Sequence, residues 1–201
     1  MPDTGAPWNI PYVASTDLVS DWPTDSQDLA EAIADGLDAA GNAGIGSNVV
    51  QTVKTDTFST TSTSFTPVTG LSVTITPSSD TSRILVIVSG SVGISSGASG
   101  RPVLKVTGGN AGTFIGDAAS SRTRTAMGGV RAVSLSGADH LLSAITMLYV
   151  DSPATASAVT YQAEMCNSGA GTVYLNTTGT DSTNSTYVRA ASAITAIEVA
   201  P

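Results

Sequence analysis

Two periodicities divide the chain. Between residues 24 and 41 apolar side chains return about every four positions, at Leu29, Ile33, Leu37 and Ala40, whereas from Asn48 onward they tend to return at every second position. The first spacing places one narrow stripe on a helix. Thr24 and Gln27 stand at the spacing of a capping box, Asp25 and Asp28 complement the positive end of the helix dipole, and Gly41 followed by Asn42 supplies a stop. A helix of about 16 residues is predicted, marginal when isolated. Its stripe has two candidate partners: the body of the same chain, or the same stripe on neighbouring copies about a symmetry axis.

The period of two predicts strands over residues 49–55, 71–75, 84–88, 103–107, 122–135, 141–150, 158–166, 172–176 and 191–199. Alternation is cleanest where Val159, Tyr161, Ala163 and Met165 interleave with Thr160, Gln162, Glu164 and Cys166. Turn-forming residues punctuate these runs at 77–80, 95–100, 108–110 and 178–184. Ile84, Leu85, Val86, Ile87 and Val88 are apolar on both faces. One chain's sandwich covers only one face of a strand, so Leu85 and Ile87 are expected at a contact with a second subunit. The fold class expected is mainly β, an antiparallel β-sandwich of jelly-roll type, preceded by an extended arm and one short α-helix. Residues 1–47 form the arm and helix, and residues 48–201 the sandwich.

The arm is read from its prolines, Pro2, Pro7, Pro11 and Pro23, which hold the first 23 residues extended. The same stretch carries both tryptophans. Trp8, Ile10, Tyr12, Leu18 and Trp22 each cost roughly 1.5–3 kcal/mol to leave in water. Either the arm folds back on its own β domain, or Trp8, Ile10, Pro11, Tyr12, Leu18 and Trp22 anchor it in another protein.

Charge sharpens the division. Charged residues make up only 12% of the chain against 41% apolar, and the net charge of −8 lies entirely before Lys54, where eight acids meet no base. From Lys54 onward eight bases balance eight acids. A neutral body offers little electrostatic resistance to self-association, and an acidic leader is a poor partner for nucleic acid or an anionic membrane. The lone cysteine, Cys166, precludes an intrachain disulfide, no run of 18 apolar residues occurs, and no basic, apolar leader begins the chain. Synthesis in a cytoplasm is the expectation.

Candidate chemistry is sparse. His140 is the single histidine, its neighbour Asp139 is expected to point to the opposite side of an extended chain, and no nucleophile elbow is present. A turn or surface histidine is the better reading. No metal-ligand spacing occurs, and neither metal nor cofactor is expected. Asp117, Asp151 and Glu164 are the carboxylates a glycosidase would draw on. Arg122 and Arg124, on one face of the strand expected over 122–135, and Arg131 form the one basic cluster. They suit either contact with anionic sugars or phosphates, or a solvated face paired with Asp117 or Asp139. Asn176 and Asn184 begin glycosylation-type tripeptides.

The opening Gly5-Ala6-Pro7-Trp8-Asn9-Ile10-Pro11-Tyr12, the following Asp17-Leu18-Val19-Ser20-Asp21-Trp22-Pro23 and the Ala-rich helix resemble the leaders of minor tail proteins and fibres of tailed phages. Val50 to Phe58, Phe65 to Val68, Leu71 to Pro77, Ser82 to Val92 and the closing Ala193 to Val199 are similar to a β domain of phage fibre and head-fibre proteins. The resemblance covers about half the chain and carries no catalytic signature. It implies a virion location, a homotrimer, and a jelly roll like that of tumour necrosis factor. On this reading residues 1–23 bind another virion protein of tail, baseplate or capsid, while Leu29, Ile33, Leu37, Leu85 and Ile87 meet other subunits. The distal loops, with Arg122, Arg124 and Arg131, face a host surface glycan. No long shaft separates helix and β domain, and residues 95–136 match nothing in the family. A short tail fibre, a head fibre and a capsid decoration or cement protein therefore all fit; a polysaccharide depolymerase and a lectin-like module are the rivals from other classes.

Overall fold

The computed structural model describes residues 22–42, 45–95, 98–129 and 138–199. The chain divides into two units, residues 1–47 and residues 48–201. In the first, α1 runs from Trp22 to Asn42. It begins two residues before the expected cap, because Pro23 fits the first turn, where its missing N–H leaves no bond unmade. Thr24 is thus inside the helix. Gln27 donates to Glu31 Oε1 one turn on, at 2.8 Å. Along the apolar stripe Leu29 is half-buried, while Ile33 is 45% and Leu37 68% exposed. Of the proposed anchor residues, Trp8, Ile10, Pro11, Tyr12 and Leu18 lie outside the described residues, and Trp22 opens the helix.

Among the described residues ten strands follow: β1 (Ile45–Lys54), β2 (Phe58–Thr60), β3 (Thr66–Ile75), β4 (Arg83–Ile94), β5 (Pro102–Thr107), β6 (Met127–Gly128), β7 (Ser143–Asp151), β8 (Val159–Asn167), β9 (Val173–Leu175) and β10 (Ser192–Val199). They form two sheets. In the first, β7 pairs one edge of β4, and β10 and β9 share its other edge, flanked in turn by β1 and β2. The second has the order β3-β8-β5-β6. Every pairing with a described register is antiparallel. The protein is therefore mainly β, an antiparallel sandwich preceded by a single helix.

Alternation decides what lies between the sheets. Ile84, Val86 and Val88 of β4, Ile145 and Met147 of β7, and Ile194 and Ala196 of β10 turn inward from the first sheet. They meet Leu71, Val73 and Ile75 of β3, Leu104 and Val106 of β5, and Tyr161, Ala163 and Met165 of β8 in one cluster. Edge strand β3 tolerates Pro67 because a ladder N–H is not needed on its open side. Its register with β8 shifts between Pro67 and Ser72, where Gly70 takes φ +78°, a left-handed conformation that suits glycine. The Gln162 amide spans this irregularity, donating to the carbonyls of Val68 and Leu71 at 3.0 and 3.1 Å.

One expected strand is corrected. Residues 122–126 are loop rather than strand, and only Met127–Gly128 pair, against Leu104 and Val103. The loop is held by side chains instead of a ladder. Thr125 Oγ1 donates to the carbonyls of Leu104 and Met127, and Arg124 Nε donates to the Gly116 carbonyl at 2.7 Å. Residues 130–137, with Arg131, lie outside the described residues. The short strand β2 went unpredicted, since three residues are too few to show a period.

Candidate functional site

The outward face of the first sheet is the feature that the core does not explain. Register places Ile197, Leu85 and Val150 side by side across β10, β4 and β7, and Thr195, Ile87 and Leu148 in the next row. Gln51 donates to Thr195 Oγ1 at 2.8 Å and Asn48 to Glu198 Oε2 at 3.3 Å, so β1 continues these rows with Val49 beside Ile197. Val49 is 52%, Leu148 56% and Val150 52% exposed. Leu85 and Ile87, expected on the outward side of β4, lie there half-buried among them. These two rows contain no charged side chain. Edge strand β7 is nine residues long, pairs only β4 among the described residues, and has neither proline nor lysine to guard its open side.

A second feature opens on the outer side of the other sheet. Val103 points away from Leu104 and the core, yet is only 3% exposed, because flanking loops rise around it. Together they leave an open cavity of about 490 Å³. Arg101 and Ser99 on the approach to β5, Ser168 after β8, and the loop from Ser121 to Thr125 wall it. Among the described residues its charged side chains are Arg101 and Arg122. The two arginines expected to share a strand face are thus separated in role: Arg122 lines the cavity, while Arg124 pins its own loop to Gly116. Arg101 was not anticipated. It lies far from Arg122 along the chain, and only the folding of two loops brings both to one cavity.

The carboxylates are occupied elsewhere. Asp151, on the core side of β7 and 3% exposed, accepts from Tyr161 Oη at 2.6 Å and from the Asn110 backbone N–H at 3.1 Å. Burial pushes both the Tyr149 and Tyr161 hydroxyls well above the ordinary phenol range, helped by the Asp151 charge at Tyr149 and by the hydrogen bond to Asp151 at Tyr161. Glu164 faces outward from β8 and pairs with Lys105 at 3.2 Å, and the ammonium of Lys105 also sits over the Phe65 ring. Asp117 is exposed on a loop. Asp151 faces inward from one sheet and Glu164 outward from the other, so the two do not flank a common cleft. His140 ends a short 3-10 turn, Ala138–His140, which corrects the expected extended geometry: its Nε2 is 3.7 Å from Asp139 Oδ1. Its ring rests against Tyr187, and Asp139 accepts from Thr180 Oγ1 at 2.8 Å. Among the described residues no three of His, Cys, Asp and Glu converge.

Two buried polar groups fasten the first sheet. Asn176, in the left-handed region at φ +64°, is fully buried after β9. Its amide donates to the carbonyls of Lys54 and Asp56 at 2.9 and 3.0 Å, and its Oδ1 accepts from Ser192 Oγ at 2.5 Å. That tripeptide is closed to glycosylation in the folded chain, whereas Asn184 is exposed. Glu198, 1% exposed on β10, accepts from the backbone and hydroxyl of Ser78 at 2.7 and 2.5 Å and from Asn48. Burial alone raises its carboxyl pKa, but these hydrogen bonds outweigh burial and hold it below the ordinary value.

The sign of that shift gives a prediction. A carboxyl whose folded pKa is depressed contributes stability above its unfolded pKa and loses it as pH falls through the folded value. The gap in urea midpoint between the wild-type chain and E198Q is expected to hold above the ordinary glutamate pKa and to narrow as pH falls below it. A gap unchanged across that value contradicts it.

Among the described residues no metal-binding constellation emerges, and what remains is an apolar sheet face and a basic, hydroxyl-rich cavity. No protein-family model matches the chain, and no curated protein matches it.

Proposed function

We propose that the chain is a structural protein of a tailed-phage particle, a short tail or head fibre whose N-terminal segment anchors it and whose β domain assembles as a homotrimer. The observation that carries the reading is the pair of uncharged, largely apolar rows on the outer face of β1, β10, β4 and β7, ending on an edge strand without proline or lysine. Exposed apolar surface of this continuity marks an interaction site on a soluble protein. The neutral β body removes the repulsion that copies would otherwise meet. Exposed Ile33 and Leu37 on α1 supply a second apolar stripe suited to packing against the same stripe of other copies.

The strand order supports a jelly roll as the finer description. Taking β1 with β2 and β10 with β9 as single broken strands, the sheets read β1-β10-β4-β7 and β3-β8-β5-β6. Successive strands cross between sheets in the manner of two Greek keys. The leader's likeness to phage tail and fibre proteins supplies the virion setting, with residues 1–23 bound to another virion protein. A capsid decoration protein is the second reading, since the same face could meet a neighbour on a shell.

Gold-labelled antibody against the β unit, applied to particles purified from the lysate in which the chain is made, tests the proposal. Label is expected on the particle, at the tail or head fibre. Label at capsid symmetry axes selects the decoration reading, and a chain recovered wholly apart from particles overturns both.

A further inference from the structure

We propose that the cavity between Arg101 and Arg122 is a binding site for an acidic saccharide, with the two guanidinium groups receiving its carboxylate and the surrounding hydroxyls its ring. This deepens the proposed host-surface role and takes its biological setting from it, but the chemistry stands on the cavity alone.

Charge pairing across the β unit leads to this site. Lys54 pairs with Asp56, Lys105 with Glu164 and Arg189 with Asp181. Asp151, Glu198 and Asp139 are taken up by hydroxyl and amide donors. Among the described residues Arg101 and Arg122 form no ion pair, and no carboxylate lines the cavity that both border. Two guanidinium groups facing a shared space without an anion leave an uncompensated positive potential, and planar N–H forks match a carboxylate in a bidentate way.

The rest of the wall suits a sugar better than a bare ion. Ser99 Oγ already accepts from the Ala170 N–H, and Thr125 Oγ1 is committed to backbone carbonyls. The hydroxyls of Ser121, Thr123 and Ser168 make no hydrogen bond among the described residues, and each can both donate and accept. At about 490 Å³ the space falls within the roughly 300–1,000 Å³ of small-ligand sites. It is open, so millimolar affinity for a monosaccharide is expected. Copies on one particle would multiply that affinity.

The test is titration of the intact chain with D-glucuronate, D-glucose and sodium sulfate, followed by NMR chemical-shift perturbation. Glucuronate is expected to saturate, with glucose and sulfate each at least about tenfold weaker, and R101A and R122A each are expected to weaken glucuronate about tenfold. R83A, at an exposed arginine of the other sheet, is expected to leave it unchanged. Circular dichroism of R101A and R122A shows that any loss is one of binding, since both side chains are exposed. Glucose binding as tightly as glucuronate, sulfate binding as tightly, no saturable binding, or retained affinity in both variants overturns the proposal. The molecular mass of the chain reads assembly independently, so failure here and failure of the assembly reading are distinguishable.

Discussion

Asn176→Ala is expected to destabilise the β unit by about 3 kcal/mol or more, the sum of a strained backbone and lost buried hydrogen bonds. Alanine at φ +64° loses the local compatibility that asparagine has with the left-handed region. The carbonyls of Lys54 and Asp56 lose their side-chain donor, and Ser192 Oγ its acceptor, all in a fully buried setting. The position also fastens neighbours through its backbone, donating to Ser91 and accepting from Ala190. Thermal denaturation followed by circular dichroism should show a midpoint lower by roughly 10 °C for a domain of this size. Asn176→Gly, which restores backbone freedom but not the amide, should fall between the two. A midpoint within about 2 °C of wild type for Asn176→Ala contradicts the hub.

Leu148→Glu is expected to dissociate the proposed assembly while leaving the fold intact. Leu148 points outward from β7 beside Ile87, and at 56% exposure a single chain tolerates a carboxylate there. In an assembly the same carboxylate is buried against an apolar neighbour without a partner, a cost of several kcal/mol repeated at each contact. The variant's mass is therefore expected to drop to that of one chain, with an unchanged far-ultraviolet spectrum. Val188→Glu gives the control, because Val188 is similarly exposed at 48% but lies in a loop outside these two rows. Loss of assembly in both variants, or in neither, removes the face from the account.

The sequence revealed those parts of the molecule that repeat. Alternation along 159–166 and 191–199 located β8 and β10 because each residue there keeps one side in the core and one outside. The double-sided run from Ile84 to Val88 likewise indicated a strand with an apolar outer face; that β4 is central in its sheet emerges only from its pairing with β10 and β7. Residues 122–126 misled because Arg122, Thr123, Arg124 and Thr125 alternate in size and charge without any apolar partner, and side-chain bonds to Gly116 and Leu104 fix them as a loop. The cavity was illegible for a different reason. Its two arginines come from separate loops whose approach is set by β5, β6 and β8, and no local pattern encodes that meeting. Asn176 stood out only as the start of a glycosylation-type tripeptide, because burial, which decides its role, is a property of the fold.

Measurement of the mass of the wild-type chain by light scattering, at micromolar concentration and beside Leu148→Glu, tests the self-association most directly. The account predicts a discrete oligomer, three chains in size, for the wild type and a single chain for the variant. A folded wild type that stays a single chain throughout contradicts it.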